Sequence, residues 1–154
     1  MAPMTAFQIL QGVETLHLRM PRHVESTRKV VQFLASHAAV AKVIYPELAE
    51  HPDHALAKKL LPLGAGAVFS FEIKGGRAAG KTFIESLRIF SHLANVGDAK
   101  SLVIHPASTT HYRMSDADLQ KAGITAGTVR LSIGLEDAQD LVEDLDRALR
   151  ASQK

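Results

Sequence analysis

The chain predicts an α/β fold in which helices cover a largely antiparallel sheet, and three observations carry that prediction. Short β-rich runs at residues 40–45, 67–73, 102–104 and 128–133 are separated by stretches with helical periodicity. The run at 67–73 sets Ala67, Phe69, Phe71 and Ile73 on one face and Val68, Ser70 and Glu72 on the other, the pattern of a strand with one packed and one more polar face. The connections are short and rich in Gly, Pro, Asn and Asp, with no internal repeat, low-complexity tract or interdomain linker.

Composition narrows the function classes. At 154 residues, 46% hydrophobic and 22% charged, the chain is long enough for a packed core and unlike a disordered one. Aromatic residues are only 5%, so the core is predicted to be aliphatic. The net charge of +2, spread evenly, argues against nucleic acid as a partner. The absence of cysteine excludes disulfides and thiolate metal sites. No apolar run approaches the roughly 18 residues of a membrane span, and the amino terminus lacks a signal-peptide pattern, so a cytoplasmic protein with no membrane partner is expected.

Taken in order, Thr5 is placed to cap a helix from Ala6, with Ile9, Leu10, Val13, Leu16 and Met20 at helical spacing. Pro21 interrupts this pattern, so the helical segment 1–36 is expected to kink or split near 21. Its second half turns Val24, Val31 and Leu34 inward. A strand at 40–45 ends at Pro46. His51 and His54 are spaced as metal ligands could be, but Pro52 lies between them and no third ligand is near; Asp53 reads better as the cap of a helix over 55–61. Gly64 and Gly66 precede the strand at 67–73, and Gly75-Gly76 turns the chain into a helix over 77–87. The run from Gly75 to Thr82 formally matches GxxxxGK[ST], yet no aspartate-ended strand follows to hold magnesium, so nucleotide binding is not the favoured reading. Ser115 and Asp118 form a capping-box arrangement on a short helix ended by Gly123. The last helix spans about 137–151, with Ala138, Leu141, Leu145, Ala148 and Leu149 as its buried stripe.

Candidate chemistry concentrates in two places. Residues 91–111 read as strand, site loop, strand, closing as a hairpin, and the loop Asn95-Val96-Gly97-Asp98 is turn chemistry before Leu102-Val103-Ile104. In the run at 128–133, Val129, Leu131 and Ile133 alternate with Thr128, Arg130 and Ser132, which puts an arginine mid-strand. Such a guanidinium reaches solvent, pairs with one of the chain's sixteen acidic residues, or meets an external anion; its planar fork suits a carboxylate. His105 and His111 are too poorly supported by carboxylates to suggest a metal hydrolase and are expected to bond to loop backbone.

Several of these segments resemble the Cys/Met-metabolism family of pyridoxal-phosphate enzymes, which includes methionine γ-lyase, cystathionine γ-synthase and sulfhydrylases. The resemblance rests on Gly97-Asp98-Ala99-Lys100-Ser101-Leu102, His105-Pro106-Ala107-Ser108-Thr109-Thr110-His111 and Val129-Arg130-Leu131-Ser132-Ile133-Gly134-Leu135-Glu136-Asp137, with Thr5 to Leu16 and Leu18-Arg19-Met20 also matching. Leu93-Ala94-Asn95-Val96-Gly97-Asp98 is similar to the O-acetylhomoserine sulfhydrylase branch, since most lyases and synthases carry serine at the position of Asn95.

The resemblance implies the small carboxy-terminal domain of a fold-type I enzyme. Residues 1–36 would be a long bridging helix and 37–154 the α/β domain, with the cofactor-binding domain upstream and absent here. Arg130 would hold the substrate α-carboxylate with Asn95 assisting, and no residue would be catalytic. The Schiff-base lysine would also lie upstream, Lys29 being a solvated helix residue despite the nearby Ser26-Thr27-Arg28. The parent would use pyridoxal phosphate to make homocysteine from O-acetylhomoserine and sulfide, as a homo-oligomer acting on an amino-acid substrate. The chain alone would be inactive and bind no cofactor. The alternative is a free-standing module that binds an amino acid through the same arginine.

Overall fold

A computed structural model describes residues 1–154. Two helices open the chain, α1 (Pro3–Glu14) and α2 (Leu16–Ser36), followed by β1 (Val40–Ile44), α3 (His54–Leu60), β2 (Val68–Ile73), α4 (Gly76–Ser86) and β3 (Ser91–His92). After these come β4 (Leu102–Ile104), a 3-10 turn at Pro106–Ser108, α5 (Asp116–Lys121), β5 (Thr128–Ser132) and α6 (Ala138–Ser152). The strands form one sheet in the order β1-β2-β5-β4-β3. The α/β prediction and the largely antiparallel sheet hold: β1 with β2, β2 with β5 and β5 with β4 are all antiparallel.

Edge strand β3 differs from the expected hairpin. It pairs with β4 in parallel, Ser91 opposite Leu102 and His92 opposite Val103. A parallel pair cannot be closed by a tight turn, so the chain from Leu93 to Ser101 must travel back along the sheet before β4 begins. The site loop is therefore a crossover that lies over the end of the sheet.

The break in the opening helical segment falls at Thr15 (φ −103, ψ 4), and Pro21 sits inside α2 without ending it. Arg19 bridges the break: its guanidinium donates to the Gly12 carbonyl and, over 3.3 Å, to Thr15 Oγ1. Pro21 occupies the second turn of α2 and forfeits a bond only to His17, an exposed residue, which is how the helix accommodates it. Helix α1 starts earlier than predicted, with Ala2 at its N-cap and Pro3 in its first turn, so Thr5 is helical rather than a cap.

The core lies on one face of the sheet. Phe69, Phe71 and Ile73 of β2 and Val129 and Leu131 of β5 pack with Val103 against Val30, Val31 and Leu34 of α2, Phe83 of α4, and Leu141, Leu145 and Leu149 of α6. The buried stripe predicted for α6 is the one observed, and Asp137 caps the helix by accepting from the Gln139 N–H. His23 ties α2 to the end of β5, its Nδ1–H donating to the Ile133 carbonyl over 2.7 Å. By contrast α1 buries no residue and leaves Met4, Phe7, Leu10 and Val13 exposed.

Candidate functional site

Central strand β5 is paired on both sides, and its alternation sends Val129 and Leu131 into the helical layer. Arg130 therefore stands on the opposite face. There it forms a cross-strand row with Ser70 of β2 and Ile104 of β4. The residue is half-buried, and the intrachain ion pairs and side-chain hydrogen bonds go to other arginines, among them Arg28 to Glu47, Arg77 to Asp116 and Arg147 to Asp144. Of the fates open to a mid-strand guanidinium, pairing with an internal acid is not the one adopted.

The second predicted element, the Asn95 turn, is brought to the same end of the sheet. Gly97 N–H donates to Ser132 Oγ over 3.2 Å, and Ser132 shares Arg130's face two residues along β5. Gly97 takes φ +76, a left-handed conformation in which a side chain would be strained. Asn95 is exposed, and its Oδ1 accepts from the adjacent Val96 N–H at 2.9 Å, which leaves its NH2 group without an intrachain acceptor. Asp98 Oδ1 accepts from the Lys100 N–H at 3.0 Å and closes the turn. Ser132, unremarkable in sequence, is the residue that joins the two halves; its only signal was its place beside Arg130 in the alternation.

The run after β4 is a rigid support. His105 is buried, its Nε2–H donating to the Ala126 carbonyl at 2.9 Å and its Nδ1 accepting from Ser108 Oγ at 2.8 Å. The expected backbone contact is present for His105, whereas His111 Nδ1 meets Thr110 Oγ1. Gly80 lies under the His105 ring, where a methyl group would overlap it. That is the use of the glycine in the GxxxxGK[ST]-like run: Gly80, Lys81 and Thr82 are inside α4, so no phosphate-cradling loop exists there.

Burial lowers the His105 pKa from its ordinary value, countered in part by the bond to Ala126. The unfolded chain then takes up a proton at higher pH than the folded one. This contribution to stability is complete above about pH 6.5 and lost as the pH falls from there toward the depressed folded value. Urea unfolding at pH 7.5 and pH 5 should show the loss, and His105→Gln should flatten it; an unchanged slope in the variant would remove His105 as the cause.

The histidines at the start of α3 serve backbone. His51 Nδ1 accepts from the Asp53 N–H at 3.1 Å and His54 Nδ1 meets the Pro46 carbonyl at 3.2 Å. Asp53 occupies the N-cap of α3 but its side chain makes no capping bond, so the expected cap is not formed. The larger clefts, about 740 Å3 around His37, Asp146 and Arg150, about 560 Å3 around Arg22, Lys29 and Asp137, and about 410 Å3 along β1, have no β5 residue in their linings. The Arg130 face is open rather than enclosed.

Arg130, without an internal acid, thus stands on the central strand to which the Asn95-Val96-Gly97 turn is bonded through Ser132. The model of the Cys/Met metabolism PLP-dependent enzymes matches residues 1–150. The chain belongs to this family. It is 51% identical over 97% of its length to an O-acetyl-L-homoserine sulfhydrylase of Leptospira meyeri, and 43% identical over 97% to an L-methionine gamma-lyase of Fusobacterium nucleatum subsp. polymorphum. A crystal structure of a proposed O-acetylhomoserine (thiol)-lyase from Campylobacter jejuni subsp. jejuni, which carries a pyridoxyl-lysine monophosphate, superposes with a TM-score of 0.89 at 45% identity over 97% of this chain. The chain spans about a third of each: 34% and 38% of the two relatives and 36% of the crystallised chain.

For a Cys/Met metabolism PLP-dependent enzyme, the cofactor needs an amine held out of water in a shaped pocket. Every lysine of this chain is exposed, Lys29 on α2 being paired with Glu25 at 2.9 Å. The lysines present do not fit that requirement.

Proposed function

We propose that this chain is the substrate-carboxylate-binding part of an O-acetylhomoserine sulfhydrylase-like member of the family, in which Arg130 grips the α-carboxylate and Asn95 assists through its free amide NH2. The observation that carries the reading is Arg130 itself: half-buried, on the strand at the centre of the sheet, and without an internal acid. An arginine partly out of water and unpaired costs stability unless an anion completes it, and a bidentate carboxylate is the complement of its fork. Relatives named O-acetyl-L-homoserine sulfhydrylase, including one from Thermus thermophilus at 47% identity, support O-acetyl-L-homoserine as the substrate in this reading.

In this proposal residues 37–154 form the carboxylate-binding domain, while residues 1–36 reach out to the cofactor-bearing remainder of the enzyme. The bare apolar face of α1 supports that role, since a helix exposing Met4, Phe7, Leu10 and Val13 has surface to cover. Pyridoxal phosphate, held by that remainder, would supply the electron sink for releasing acetate and adding sulfide to make homocysteine. The work of Arg130 is orientation, presenting the amino acid at a fixed angle and moving no proton.

The test is a chimera of the Leptospira meyeri O-acetyl-L-homoserine sulfhydrylase in which its matched third is replaced by this chain. It should turn over O-acetyl-L-homoserine with sulfide, whereas the chain alone should show neither turnover nor cofactor absorbance. Turnover by the chain alone, or a folded, cofactor-loaded chimera without activity, would overturn the reading.

A further inference from the structure

We infer that Glu136 is a positioning residue for the carboxylate site: with Ser101 and Ser132 it clamps the turn carrying Asn95 onto the strand carrying Arg130. The inference rests on the reading of Arg130 and Asn95 given above and adds residues that neither motif nor spacing assigned a role. Glu136 lies just beyond β5, and its carboxylate takes both donors of one residue across the sheet. Oε1 accepts from the Ser101 N–H at 2.7 Å and Oε2 from the Ser101 Oγ–H at 2.8 Å. With its proton so directed, Ser101 Oγ accepts from the Gly134 N–H at 2.8 Å. The Leu135 N–H donates to the Ala99 carbonyl at 2.8 Å.

These bonds fasten residues 99–101 to residues 134–136, and Gly97 is fastened separately to Ser132. Ser101 and Ser132 are both buried, so water cannot stand in for a missing partner. The two carboxylate oxygens take both Ser101 donors and leave an Oγ lone pair for Gly134. Packing enforces the same closeness: a methyl group on Gly134 would overlap the Ala99 carbonyl, the Lys100 backbone and the Glu136 carboxylate. The loop is thereby held against the strand before any ligand arrives. A carboxylate meeting Arg130 and Asn95 then does not have to order the crossover loop as it binds.

Such a clamp acts on substrate affinity rather than on the chemical step. In the chimera, at saturating sulfide, Glu136→Ala should raise KM for O-acetyl-L-homoserine about tenfold while kcat changes less than about threefold. Glu136→Gln, which keeps an acceptor for the Ser101 N–H and a polar group for Oγ, should recover most of the loss. In the 154-residue chain itself, amide exchange at Gly97 should quicken about tenfold in Glu136→Ala and in Ser132→Ala. If Glu136→Ala does not fold, Ser132→Ala and the shortened Glu136→Asp carry the same expectations.

An unchanged KM, no rescue by glutamine, or unaltered Gly97 exchange would overturn the clamp. The underlying reading fails in a different way. A raised KM in Glu136→Ala together with an unaffected Arg130→Ala would remove the carboxylate assignment and leave the clamp. A raised KM in Arg130→Ala alone would remove only the clamp.

Discussion

Replacing Arg130 by alanine in the chimera should lower kcat/KM for O-acetyl-L-homoserine by about 2 to 4 kcal/mol, roughly 30- to 900-fold. The magnitude follows from what is lost. A substrate carboxylate that exchanges water for a bidentate guanidinium would, in the variant, meet the Ser70 and Ile104 side of the sheet with no cation to replace its hydration. Most of the loss should appear in KM, because the ion pair is made in ground and transition states alike. A smaller part should appear in kcat, because a mis-set carboxylate turns the reacting bond away from its productive angle. Arg130→Lys should recover part of the affinity, since an ammonium restores the charge but not the planar fork. Stability is the internal control: with no intrachain partner to lose, Arg130→Ala should unfold at nearly the wild-type temperature. Unchanged kinetics would reduce Arg130 to a surface residue of an ordinary strand.

Asp144→Ala should have the largest effect on the fold, destabilising it by about 2 to 4 kcal/mol and lowering the melting temperature by roughly 5 to 15 °C. Asp144 is only 4% exposed, on the face of α6 turned to the core. Its Oδ1 and Oδ2 accept from the Arg88 N–H at 3.0 and 3.1 Å and Oδ2 accepts from the Ile89 N–H at 2.9 Å, while Arg147 pairs with Oδ1. Alanine leaves the Arg88 and Ile89 N–H groups without their protein acceptor and removes the buried carboxylate that held this turn against α6. The Arg147 side chain is 38% exposed and keeps its 2.6 Å bond to the Ser86 carbonyl, so solvent screens its share and the total stays near the lower end of that range. Asp144→Asn, which keeps an acceptor, should lose about half as much. A melting temperature within about 2 °C of wild type for Asp144→Ala would show that Arg88 and Ile89 find other acceptors. Because these residues lead directly into β3, the loss should also loosen the start of the crossover loop.

Most of the scaffold was legible. Alternation at Phe69, Phe71 and Ile73 and at Val129 and Leu131 placed two paired strands and their packed face correctly, since a period of two has one outcome when one face is buried. The Ser115 cap, accepting from the Asp118 N–H at 3.2 Å, was equally local. The place of the helix break, at Thr15 rather than near Pro21, was not legible, because a proline's cost depends on which carbonyl it disappoints, and His17 is solvated. Nor was the direction of β3: a two-residue strand carries no periodicity, and the chain just before it is held by Asp144, a contact 55 residues away in sequence.

By itself the sequence determined the family, the α/β layering and an arginine in the middle of a central strand, because periodicity and motif identity are properties of neighbours along the chain. Tertiary structure alone decided that this arginine lacks an internal acid, that the Asn95 turn is fastened beside it, and that Glu136 and Asp144 are joints rather than solvated charges. Those outcomes depend on which polar groups meet across distances of 33 to 56 residues along the chain, where burial decides whether a missing bond can be made up by water.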